Sequence, residues 1–91
     1  MAKRELIVRG PTYFSNHDED VFFHWLESIG CVREVTGHLR DLHISLKREA
    51  SVADLRELWA LFRRYGLPLS KLHCLKTARN AKIFLERTFR N

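Results

Sequence analysis

Apolar residues recur along this 91-residue chain with two different spacings, and the switches between them mark the elements. Glu5 to Arg9 reads as a strand, with Leu6, Ile7 and Val8 apolar on both faces as in a central strand. Gly10-Pro11 ends it, and Tyr13 and Phe14 follow. Ser15 or Asn16 can cap a helix, with Asp18 or Glu19 three residues on, in a capping-box pattern. At 100° per residue, Val21, Phe22, Trp25, Leu26 and Ile29 share one arc of that helix, and Gly30 sits where a left-handed terminal residue is wanted.

The period then shortens. Cys31 to Thr36 and Asp41 to Lys47 read as two strands around a turn containing Gly37. The second alternates cleanly, with Leu42, Ile44 and Leu46 on the core side and Asp41, His43, Ser45 and Lys47 on the wet side. Ser51-Val52-Ala53-Asp54 is a further capping pattern. Leu55, Leu58, Trp59, Leu61, Phe62 and Tyr65 form a wide apolar stripe that ends at Gly66. Trp59 is expected at the centre of that stripe, against Leu42, Ile44 and Leu46. Beyond Pro68, Leu72 and Leu75 suggest a short helical stretch. Ala81, Phe84, Leu85, Thr88 and Phe89 share one side of a terminal helix that starts near Asn80.

The order strand–helix–strand–strand–helix–helix predicts a single small α+β domain over residues 1–91. Its sheet is three-stranded and mostly antiparallel, with helices packed on one face. The opening β-α-β-β-α run resembles the split β-α-β arrangement of ferredoxin-like domains, with the last strand missing or replaced by helix. The resemblance is one of fold pattern, and such folds host unrelated functions.

Charge adds a second layer. Residues 1–50 carry 7 Lys/Arg against 8 Asp/Glu, whereas residues 51–91 carry 9 against 3, for a net charge of +5. A basic C-terminal half suits polyanions if the cations share a face. The candidates are Arg56, Arg63 and Arg64 on the second helix, with Lys76, Arg79, Lys82, Arg87 and Arg90 downstream. Against this, Lys82 and Glu86 are spaced to pair across one helical turn. The strands at 5–9 and 41–47 carry no aromatic side chain that would stack bases.

Other chemistry is sparse. His17, Asp20, His24 and Glu27 share the polar side of the first helix, but His17 and His24 lie about 10.5 Å apart along the axis, too far to hold one ion. Asp41 and His43 share the wet sheet face, joined by Arg33 and Arg9 if the registers agree; no motif converts them into a catalytic pair. Cys31 and Cys74 stand alone among apolar neighbours, without a C-x-x-C, and read as reduced structural thiols. Leu6-Ile7-Val8 is too short for a signal-peptide core, and the longest apolar run, residues 58–62, is far short of a membrane span.

These features point to a soluble cytoplasmic protein with no catalytic residues, metal site or cofactor. A non-enzymatic protein-interaction or self-associating module is the leading expectation, with Tyr13, Phe14 and Phe23 as its exposed aromatic surface. A nucleic-acid-binding module using the basic helices is the alternative. A metal-dependent or hydrolytic enzyme using the histidines is the third.

Overall fold

The computed structural model describes residues 4–86. Strand β1 (Glu5–Arg9) leads into helix α1 (Asn16–Ser28), followed by β2 (Val32–His38), β3 (Asp41–Leu46) and helix α2 (Val52–Tyr65). Two short 3-10 helices, Leu69–Leu75 and Ala81–Leu85, close the described chain. The sheet order is β1-β3-β2 with both pairings antiparallel, so β1 and β2 run parallel on either side of β3. This is the split β-α-β arrangement of an α+β fold.

Burial follows the pleat. Leu6, Val8, Leu42, Ile44 and Leu46 face the helices with Phe22, Leu26, Ile29, Leu55, Leu58, Leu61 and Phe62, and together they form one core. β1 is an edge strand rather than a central one. Among the described residues it pairs only with β3, and the middle of its three apolar residues, Ile7, is left 46% exposed. The hairpin turn also lies further along than expected. Gly37 pairs with Leu42 inside the ladder, and the turn is Leu39-Arg40. Leu39 takes a left-handed φ of 58° with its side chain in solvent, a conformation that glycine and asparagine adopt at lower cost.

Both helix starts are capped. Ser15 Oγ accepts the Asp18 N–H at 3.0 Å. On α2, Ser51 Oγ accepts the Asp54 N–H at 3.1 Å while Asp54 Oδ2 accepts the Ser51 N–H at 2.9 Å, a reciprocal box. Gly66 ends α2 in the left-handed region at φ 72°. Gly30 does not play that role for α1, which ends on extended Ile29. Gly30 is small for a different reason: a Cβ there would stand 2.6 Å from Arg48 Nη2, in the path of the ion pair that Arg48 makes with Asp54.

α2 buries the expected stripe, but Trp59 does not lie at its centre. Its buried positions are Asp54, Leu55, Leu58, Leu61 and Phe62, whose centre lies roughly 100° from Trp59. Trp59 therefore packs at the rim of the core, half-buried, with the Arg63 guanidinium 5.9 Å from its ring. The chain after Gly66 brings Leu67, Leu72, Leu75 and Ile83 into the same core.

Asn80 fastens that returning chain. Its buried side chain donates to the carbonyls of Ala50 at 2.8 Å and Leu75 at 3.1 Å, and accepts the Thr77 N–H at 2.7 Å. Its side chain is an internal clamp and makes no cap bond, while Asn80 itself stands at the start of the expected helical segment, its carbonyl accepting the Ile83 N–H at 3.1 Å. The segment after it is one 3-10 helix, Ala81–Leu85, with Ile83 and Phe84 buried and Leu85 exposed. The expected positions Thr88 and Phe89 lie outside the described residues.

Candidate interaction surface

α1 carries more apolar surface than a three-stranded sheet and one neighbouring helix can cover. Phe22, Leu26 and Ile29 are buried. Phe22 anchors an aromatic bracket: its ring centroid lies 4.8 Å from Tyr65, 5.4 Å from Phe23 and 5.6 Å from Tyr13. Of the expected aromatic surface, Tyr13 and Phe23 are half-buried in this bracket, 6.2 Å from each other. Burial, helped by the nearby charges of Glu19 and Asp18, pushes the Tyr13 phenol up to about 12. Phe14 is different, with 89% of its surface in solvent.

On the opposite flank of α1, Val21 is 42% exposed and Trp25 is half-buried, although the apolar arc of the sequence places both in the core. Trp25 is tied to α2, its indole Nε1 donating to Glu57 Oε1 at 3.1 Å. At the start of α1, Asp18 accepts the Phe14 N–H at 3.1 Å and the Tyr65 hydroxyl at 3.3 Å, which fixes the loop against the end of α2. Between these two ties lies a groove of about 540 Å³, lined by Phe14, Asp18, Val21, Trp25, Arg64 and Tyr65. A shallower apolar depression of about 630 Å³ shares Val21 and Trp25 and continues along α1 past His24 to Ser28. Phe14, Val21 and Trp25 thus form one exposed apolar strip with Arg64 and Asp18 beside it.

The basic residues are spread out. Arg56, Arg63, Arg64, Lys76, Arg79 and Lys82 are all exposed, but their surroundings differ. Arg56 is joined to Glu86 at 2.8 Å, so Glu86 serves α2 and not the expected Lys82. Arg63 lies over Trp59, Lys76 stands 5.9 Å from the Phe84 ring, and Arg64 belongs to the α1 groove. Arg87 and Arg90 lie outside the described residues.

The open sheet face is built of three cross-strand rows: Glu5–Ser45–Glu34, Ile7–His43–Thr36 and Arg9–Asp41–His38. Arg9 does share the register of Asp41. Arg33 falls at the irregularity between Val32 and Glu34 and faces no residue of β3. Among the described residues, no three His, Cys, Asp or Glu side chains come together as metal ligands. Cys31 is buried, with its thiol pushed up to about 11 chiefly by that burial, whereas Cys74 is exposed rather than packed among apolar neighbours; the two form no disulfide. No helix among the described residues is long and apolar enough to cross a membrane.

No protein-family model, curated protein or solved structure matches this chain.

Proposed function

We propose that this protein is an interaction module that docks an apolar segment of a partner protein along α1, and that it works in the cytoplasm. One observation carries the reading: Phe14, Val21 and Trp25 stand together in a single groove, with Phe14 almost wholly in solvent. An exposed cluster of large apolar groups beside polar ones is the composition of an interface centre and its rim. The ties from Trp25 to Glu57 and from Tyr65 to Asp18 hold the groove's walls in place before any partner arrives, which lowers the entropy lost on docking. Arg64 favours an acidic residue in the docked segment.

Affinity isolation with parent protein and with Phe14→Asp/Val21→Asp, run in parallel from the native cell, tests this. The parent should retain a partner that the double variant loses. Identical recovery by both, or no partner for the parent, refutes the reading.

A second reading, nucleic-acid binding, rests on the exposed Lys and Arg of α2 and of the chain beyond it. Binding through phosphates weakens steeply with salt, by about 0.9 log units per duplex phosphate neutralised and log unit of salt. Anisotropy titration with mixed-sequence DNA and RNA at low salt decides it, with Arg63→Glu/Arg64→Glu as control. Absence of binding at low salt removes it.

A further inference from the structure

The outer edge of β1 has a pattern that is complementary to itself. The Leu46 N–H donates to the Arg4 carbonyl at 2.7 Å and the Gly10 N–H to the Arg40 carbonyl at 2.7 Å. With the register between these points, the alternation of an antiparallel ladder directs the backbone groups of Leu6 and Val8 toward β3. The N–H and C=O groups of Glu5, Ile7 and Arg9 then point away from the sheet, and no described strand pairs with them. Glu5–Arg9 holds no proline, lysine or bulge, and its only charges, Glu5 and Arg9, are of opposite sign. A groove of about 530 Å³ runs along its first half, between Arg4–Ile7 and the 3-10 helix residues Ser70, Lys71 and Cys74.

We infer that β1 is a homodimer edge that pairs antiparallel with β1 of a second copy about a twofold axis at Ile7. Parity and charge both select this arrangement. Pairing Ile7 with Ile7 of the second copy places Glu5 opposite Arg9 and Arg9 opposite Glu5, so every outward backbone group meets a partner and each carboxylate meets a guanidinium. On the core face, Leu6 meets Val8 and Val8 meets Leu6. A slip of two residues sets Ile7 against a charge and leaves a Glu or Arg without its counterpart, so the register is specified. The product is a continuous six-stranded sheet with the helices of both copies on one face. This surface is separate from the α1 groove, and either can fail without the other.

Charge reversal tests it. Glu5→Arg sets a guanidinium against Arg9 of the other copy at both ends of the paired strands. Arg9→Glu sets a carboxylate against Glu5 of the other copy in the same two places. A mixture of the two variants restores opposite charges at one end of a heterodimer with Glu5 facing Arg9, and at the other end with the introduced pair reversed in sign. Sedimentation velocity over a range of concentrations should show the parent dimerising, each variant alone weakened roughly tenfold or more, and the equimolar mixture recovering the parent's association. Circular dichroism melts confirm that each variant is folded. A parent that stays monomeric, variants that dimerise like the parent, or a mixture that remains monomeric would each overturn the inference. So would a dimer abolished by Phe14→Asp/Val21→Asp and untouched by Glu5→Arg.

Discussion

The two α-helices have similar lengths, yet they dispose of their apolar residues in opposite ways. On α2, Leu55, Leu58, Leu61 and Phe62 are completely buried, a reciprocal capping box closes one end and a left-handed glycine the other. On α1, Phe22 and Leu26 are buried, but Val21 and Trp25 stay at the surface beside exposed Phe14. Thus α2 is built into the fold, whereas α1 keeps apolar surface uncovered. That surplus is what distinguishes a face shaped for contact from one shaped for stability.

The largest effect that sharpens the contrast is on α2. Phe62→Ala should cost about 3–5 kcal/mol, a value typical of a fully buried aromatic, and leave little folded protein. Trp59→Ala, at the rim, should cost clearly less, and urea melts of the pair measure the difference. Equal losses would contradict the rim position of Trp59.

Next come the caps. Ser51→Ala should remove about 1 kcal/mol, lowering Tm by roughly 4–8 °C in a domain of this size. Its partner Asp54 gives a pH signature. Burial works against its charge, but hydrogen bonds from Arg48 and Ser51 outweigh that and hold its carboxyl below the ordinary value. A carboxyl depressed by folding stabilises above its unfolded value, which is about 3.9. That contribution disappears as pH falls from there toward the lower folded value. Asp54→Asn should therefore lower Tm at neutral pH and lose less than the parent as the solution is acidified through and below that unfolded value. Parallel acid limbs for the two proteins would contradict the pairing.

The smallest stability changes belong to the docking face. Val21→Ser and Phe14→Ser should each stay within about 0.5 kcal/mol of the parent, as surface substitutions do, whereas Leu26→Ala, on the buried side of the same helix, should cost about 2–5 kcal/mol. Thermal melts of the three rank them.

Much of the fold is legible in the sequence because each element has strong local signals. The alternation of Asp41 to Lys47 sets both faces of β3, and Ser51, Asp54 and Gly66 delimit α2. The buried face of α2 is legible too. At 100° per residue Leu58 and Trp59 mark the two ends of the arc that Leu55 and Phe62 centre, so the rim place of Trp59 follows from the projection itself and the expectation of Trp59 at the middle of the stripe fails on that geometry. The site is half legible. Phe14 stands out as an aromatic in a polar loop, but Val21 and Trp25 share an arc with Phe22 and Leu26, and only the width of the finished sheet decides which of them it covers. Asn80 reads as a helix start, and a 3-10 helix does follow it; what the sequence does not announce is that its side chain is buried and donates to the distant Ala50 carbonyl.

A photoreactive residue placed at position 21 in the native cell tests the docking face most directly, with position 56 on the outer side of α2 as its control. Irradiation should yield a discrete adduct with a second polypeptide from position 21 and none from position 56. Adducts of equal yield from both positions, or from position 56 alone, would contradict a docking face on α1.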